Sequence, residues 1–223
     1  MSEQPIVAFQ GEHGAYSEQA VRQHFGPDVM TRPCRTFQAI TDALQSGQAQ
    51  YGMLPVENSL AGTVIPAYDL LMDYDLHIQA EAILRVRHCL MAPPGTALAD
   101  VRRVRSHPQA LMQCEATLRR MGLEPVEYYD TAGAARDLAA DPQPETAAIA
   151  SVLAAETYGL DILVSGLEDQ DINFTRFFVL GREAPARQGV SKTSIILTTR
   201  HVPGALYAAL GELAKRDINM TKI

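Results

Sequence analysis

The segment VRRVRSHPQALMQCEATLRRMGLEPVEYYDTAGAARDLAADPQPETAAIASVLAAETYGL, residues 101–160, decides the architecture. Val101 to Val104 reads as a strand and runs into Ser106-His107-Pro108-Gln109, which opens a helix to about Met121. Pro125 to Tyr129 reads as a second strand and Ala132 to Ala140 as a second helix. Ala147 to Ala150 is a third strand, followed by a helix from Ser151 to Tyr158 that Gly159 stops. Strands alternating with helices predict an α/β fold, with a mostly parallel sheet and helices on both faces.

The same alternation extends toward the N-terminus. Ile6 to Phe9 is a short apolar run broken by Gly11 and Gly14, and Ser17 can cap a helix carrying Ala20, Val21, His24 and Phe25. Thr36 to Gln45 places Phe37, Ile40, Ala43 and Leu44 on one helical face. Tyr51 to Val56 is a strand leading into Glu57-Asn58-Ser59, and Ala67 to Met72 a helix. Ile78 to Met91 is a long extended stretch, apolar or small at 78, 80, 82, 84, 86 and 90. It predicts a crossing between two lobes, with a return near 164–173 and a last strand from Asn173 to Leu180. Arg182 to Ser191 is small and polar, as a linker is; beyond it come a strand (Ser194 to Thr199) and a helix (Ala205 to Arg216). Such a pair cannot bury its own apolar face, so it predicts the front part of a small domain.

Composition narrows the function classes. The 223 residues are 47% hydrophobic and 20% charged, with a net charge of −7, enough to bury a full core. No basic stripe suggests a nucleic-acid partner, and no run of 18 or more apolar residues suggests a membrane span. The polar start, Met1 to Pro5, and the three cysteines without CxxC spacing (Cys34, Cys89, Cys114) point to the reducing cytoplasm. No metal-ligand spacing, nucleotide loop or nucleophile elbow is present, so no cofactor is expected. Lysine occurs only at 192, 215 and 222, which disfavours Schiff-base chemistry in the main domain.

Four places carry candidate chemistry. The turn Gln10 to Ser17, with two glycines, is an anion-binding turn or an ordinary strand-to-helix turn. Glu57, Asn58 and Ser59 sit at a strand's carboxyl end, where ligands bind in open α/β sheets, though Asn58 or Ser59 can equally cap a helix. Ser106-x-x-Gln109 has the pattern of a capping box; residues 106, 109 and 113 share one helical face, opposite Leu111, Cys114, Leu118 and Met121. Finally, Thr175 and Arg176 interrupt the apolar, aromatic strand Asn173 to Phe177; threonine suits a strand in any case, and Arg176 offers a rigid fork for a carboxylate.

Taken together, GEHGAYSEQA (11–20), PVENSLAGTV (55–64), SHPQALMQC (106–114), DTAGAA (130–135), AAIASVLAAETYGL (147–160) and NFTRFFVL (173–180) resemble the monofunctional prephenate dehydratases in order, spacing and identity. The resemblance covers essentially the whole chain. The family usually has Pro and Thr where this chain has Glu12 and Ala15. It implies a two-lobed, type 2 periplasmic-binding-like catalytic domain over 5–182, with the cleft between lobe 1 (about 5–79 and 170–182) and lobe 2 (about 80–169). A linker over 183–191 and an incomplete α+β, ACT-like (βαββαβ) regulatory domain over 192–223 would follow. His201 to Leu206 resembles the first ACT ligand loop, and Asp217 to Ile223 the run into its second strand.

The implied reaction is loss of CO₂ and water from prephenate, giving phenylpyruvate on the route to phenylalanine. By resemblance, Thr175 donates a hydrogen bond to the leaving hydroxyl, alone or as a relay from Glu57. Asn58, Ser106 and Gln113 would act beside it, with Ser59, His107, Arg176 and Phe177 in substrate binding. Phenylalanine would act as effector through Gly204, Ala205, Leu206 and Asn219 at an interface between two such modules, in a homodimer or homotetramer. Two rival readings keep the fold: an arogenate dehydratase, for which Glu57 or Glu12 would meet the substrate ammonium, and a non-catalytic small-molecule sensor.

Overall fold

The computed structural model describes residues 4–186, 189 and 191–222. Met1 to Glu3, the expected linker's Arg187, Gln188 and Val190, and Ile223 of the Asp217–Ile223 run lie outside the described residues. The chain divides into two compact units, Met1–Pro185 and Ala186–Ile223.

The first unit holds two mixed sheets. One contains β1 (Ile6–Gln10), β2 (Met30–Cys34), β3 (Tyr51–Asn58), the short β4 (Gly62–Thr63), β5 (His77–Arg85) and β11 (Phe174–Gly181), in the order β2-β1-β3-β11-β5 with β4 on β3. The other contains β6 (Cys89–Ala92), β7 (Arg103–Ser106), β8 (Glu124–Glu127), β9 (Thr146–Ala150) and β10 (Asp161–Ser165), in the order β10-β6-β9-β7-β8. Strands joined through helices run parallel, as β1 with β2 and β3, and β7 with β8 and β9. β11 lies antiparallel to β3 and β5, and β6 to β9 and β10. The sheets are therefore mixed rather than mostly parallel, because the strands entering and leaving at the two crossings lack a helical return.

Alternation along the strands sorts the core. Val7, Phe9, Met53, Phe177 and Val179 pack with α1 (Tyr16–Phe25), whereas Ala8, Leu54, Val56 and Phe178 pack with α2 (Phe37–Gln45) and α3 (Ile65–Asp73). In the second sheet, Leu90, Val104 and Ile149 face α4 (Pro108–Gln113) and α5 (Glu115–Met121). Met91, Ala148 and Ala150 face α6 (Thr131–Ala140) and α7 (Val152–Tyr158). The cluster around Phe9 and Phe177 also contains Met91, Ala148 and Ala150, so one apolar core joins the two sheets. Burying each such phenylalanine contributes about 1.5–3 kcal/mol.

Three local expectations change. Ser17 lies inside α1, whose N-cap is Ala15, because the backbone already turns helical at Tyr16. The helix expected to about Met121 breaks at Cys114, whose non-helical backbone separates α4 from α5. The pattern of a capping box at Ser106 is not realised: the cap is His107, whose Nδ1 accepts the Gln109 amide at 3.2 Å.

In the second unit α8 (Ala205–Ala214) forms behind Gly204, which adopts the left-handed backbone at φ 79°. The expected strand from Ser194 to Thr199 is absent, since a strand needs a ladder partner and no described segment pairs with it. None of this unit's described residues is buried.

Candidate active site

A bulge builds the centre of the site. β11 pairs Thr175 with Asn58 and Arg176 with Glu57, but Phe177 with Pro55, so Val56 has no partner in the ladder. That extra residue shifts the alternation of β3 by one and re-aims its last side chains. Glu57 meets Arg176 at 3.6 Å, and Asn58 meets Thr175. The Asn58 carboxamide is fixed by covalent logic. Its Oδ1 accepts the backbone amides of Leu60 (3.0 Å) and Ala61 (2.9 Å), groups that can only donate. Its Nδ2 therefore donates to Thr175 Oγ1 at 3.0 Å and to Asn173 Oδ1 at 2.9 Å. With its oxygen already accepting, the part-exposed Thr175 hydroxyl keeps its proton for an outside acceptor.

Two crossings run side by side next to this pair. The segment from β5 to β6 leaves the first sheet, and the segment from β10 to β11 returns to it. The Val86 amide donates to Asn173 O (2.8 Å), and the Gly166 and Leu167 amides to His88 O (3.0 Å each). The His88 amide donates to Glu168 Oε2 at 2.9 Å. Side chains continue the connection: Asn173 Nδ2 lies 2.8 Å from Gln113 Oε1, which lies 2.8 Å from His88 Nε2. His88 Nδ1 in turn lies 2.7 Å from the Tyr16 hydroxyl. Burial of His88 lowers its pKa below the ordinary histidine value, although Gln113 and Glu168 pull it upward. Burial pushes the Tyr16 hydroxyl well above its usual range, and nearby Cys89, Cys114 and Glu168 act in the same direction.

The structure thus brings Thr175, Asn58 and Gln113 together, with Ser59 alongside. Ser59 Oγ donates to Ile172 O (2.7 Å) and accepts the Phe174 amide (2.9 Å), strapping the end of β3 to the start of β11. Glu57 and Arg176 lie on the other face, where Arg176 also pairs with Glu81 and stacks 5.2 Å from the Phe178 ring centre. Ser106 is fully buried and donates to Ile149 O at 2.7 Å, tying β7 to β9. Phe177 is core, and His107 caps α4. Tyr16, His88 and Asn173 are not among the site residues expected from the sequence, although His88 fills the one gap in the every-second-residue apolar series from 78 to 90.

The glycine turn after β1 serves as a contact between the lobes. Gly14, at φ 84°, approaches α7 so closely that a Cβ would sit 2.7 Å from Ala154 Cα. Ser151 Oγ donates to Gly14 O at 2.6 Å, and Arg136 pairs with Glu12 at 2.9 Å. Buried Glu18 accepts the Gly14 amide at 2.7 Å, as well as Arg22 and Thr31. Burial alone would raise its pKa, but these donors hold it below the ordinary carboxylate value. Among the described residues no cluster of three histidine, cysteine or acidic side chains could hold a metal. No helix among them is long and apolar enough to cross a membrane. In the second unit, Gly204, Ala205 and Leu206 form the start of α8, and Asn219 is exposed.

The two-lobed α/β domain places a carboxamide-oriented hydroxyl beside the two crossings that join its sheets. The chain belongs to the prephenate dehydratase family, whose model matches residues 7–185. It is 44% identical over 219 residues to arogenate dehydratase/prephenate dehydratase 2, chloroplastic, of Arabidopsis thaliana, covering 97% of this chain and 57% of the relative. It is 43% identical over 227 residues to a bifunctional N-acyl-homoserine lactone acylase/prephenate dehydratase of Komagataeibacter europaeus, covering 100% of this chain and 80% of that one. The chain thus spans little more than half the length of the plant relative. Its fold is shared with prephenate dehydratase from Arthrobacter aurescens in complex with L-Phe, at 28% identity and a TM-score of 0.81, over 95% of this chain and 72% of that one.

Proposed function

We propose that the chain catalyses the decarboxylating dehydration of prephenate to phenylpyruvate, CO₂ and water. The observation that carries this reading is Thr175: its oxygen accepts from Asn58, so its proton is directed to the departing ring hydroxyl. A threonine is too weak an acid to give that proton up, so it stabilises charge as the C–O bond lengthens. The electrons of the C–COO⁻ bond enter the ring, shift a double bond and expel the hydroxyl as hydroxide, which takes a proton from solvent to leave as water; aromatisation drives the step without a cofactor. Glu57 lies with Arg176, which favours direct assistance by Thr175 over a relay from Glu57.

The same pairing bears on the substrate. Glu57 is held by Arg176 and Glu12 by Arg136, so each carboxylate already faces a cation. That supports prephenate, with its keto group, over arogenate, with its ammonium. The test is kcat/KM for both substrates, followed as phenylpyruvate and phenylalanine formation. A higher value for arogenate reverses the preference, and no turnover of either leaves the sensor reading. Regulation is part of the proposal: phenylalanine binds at the loop Gly204-Ala205-Leu206 with Asn219, between paired modules of a homodimer or homotetramer. The left-handed Gly204 and the open start of α8 support it. Calorimetry with phenylalanine, alongside sedimentation, tests it. A cytoplasmic setting belongs to the same reading, supported by three free, buried cysteines.

A further inference from the structure

We propose that His88, Tyr16 and Asn173 are positioning residues that set the donor polarity of the site, with His88 held as the neutral Nε2–H tautomer. The inference rests on the dehydratase reading for its consequence, but on geometry alone for the tautomer. The polarity propagates from one fixed point. Asn58 Oδ1 faces two backbone amides, so Asn58 Nδ2 faces Asn173 Oδ1. Asn173 must then present Nδ2 to Gln113, so the Gln113 atom it meets is Oε1. An oxygen with only lone pairs demands a proton from His88 Nε2. Nδ1 is left bare, and its 2.7 Å contact takes the one proton of Tyr16 in preference to Arg87 O at 3.1 Å.

This ordering has a chemical result. Gln113 accepts twice through Oε1, and among the described residues its Nε2 donates to nothing. The part-exposed Gln113 amide and the Thr175 hydroxyl then offer donors only, which suits a dicarboxylate losing a hydroxyl group. Asn173 is fully buried and His88 nearly so, at 2% exposure, so neither touches substrate; they act through Gln113 and Asn58. The titratable or charged groups facing His88 are Tyr16 on α1 and Glu168 after β10, with Arg87 and Cys89 its chain neighbours; Cys89, Cys114 and Glu168 also act on Tyr16. Of these, Glu168 favours an imidazolium, in which Tyr16 would turn its proton to Arg87 O; burial opposes it.

Long-range ¹⁵N–¹H spectra of the histidine rings test the tautomer directly, with His88 assigned by its absence in His88→Gln. The expected result at neutral pH is a protonated Nε2 and a bare Nδ1. An Nδ1-protonated ring or an imidazolium overturns the proposal, whether or not prephenate is turned over. In kinetics, His88→Gln retains a neutral donor toward Gln113, whereas His88→Leu removes both hydrogen bonds of the ring and Tyr16→Phe removes one. Tyr16→Phe should lower kcat by roughly 5- to 100-fold, the span of one lost buried hydrogen bond, and His88→Leu by at least as much, with KM changing less. Equal losses in His88→Gln and His88→Leu, or unchanged kcat in Tyr16→Phe, would also overturn it.

Discussion

Asn58 Nδ2 donates to Thr175 Oγ1 at 3.0 Å, and the direction of that bond is set by two backbone amides on the other side of the carboxamide. Thr175→Val keeps the strand's shape and removes only the hydroxyl. Its kcat for prephenate should fall by roughly 10²–10⁴, the range for a positioned proton-transfer group, with KM nearly unchanged. Thr175→Ser keeps the donor but loses the methyl that fixes its rotamer, so it should retain part of the rate. A stopped assay of phenylpyruvate decides it.

Asn58→Asp tests direction rather than contact. The oxygen facing Leu60 and Ala61 survives, while an acceptor replaces the nitrogen that faces Thr175 and Asn173. Thr175 then turns its own proton inward. We expect a loss of kcat of about 10²-fold or more, comparable to removing a preorganised donor. The unpaired Asn173 oxygen should lower stability by about 1–3 kcal/mol in urea unfolding.

Glu57→Gln separates direct from relayed assistance. Glu57 shares a face with Arg176, opposite Thr175. The variant should keep kcat within about threefold of wild type, far from the loss of a general acid. A loss matching that of Thr175→Val would restore the relay.

Acid should destabilise the chain in two windows. The depressed pKa of His88 means the unfolded state binds the extra proton first, so stability falls as pH drops below the ordinary histidine value, about 6.5. Glu18 is depressed too, so its contribution is full above the ordinary carboxylate range and is lost as pH falls through its folded value. Thermal melts from pH 8 to 3 should show both declines, and His88→Gln should remove the upper one only.

Excess EDTA should leave prephenate turnover unchanged, because among the described residues no side-chain cluster has the composition of a metal site. Loss of turnover to chelator and its return with added metal would contradict this.

Much of the fold is legible in residue order. The helix at 131–140 shows its cap in Asp130 and its buried stripe in closely spaced alanines, and it forms as read. β2 escapes notice because it is an edge strand with Pro33 and mostly exposed side chains, so no alternation marks it. Asn58 and Thr175 stand out as polar residues at strand ends, but their pairing depends on the bulge at Val56. Strict alternation would have put Glu57 beside Thr175 instead. Ser106 reads in sequence as a capping-box residue; only the approach of β9 shows where its hydroxyl goes, inward to Ile149 O.

The two crossings have a consequence for how such chains diversify. His88 and Gly166 are hydrogen-bonded neighbours at 3.0 Å, so everything from Cys89 to Ser165 enters and leaves through one doorway. A stretch whose two ends adjoin can be transplanted without restringing the host. Recombination at this single junction would exchange the half that carries Gln113 while Asn58 and Thr175 stay in their strands. New substrate tastes could therefore be auditioned one half at a time, against a constant partner.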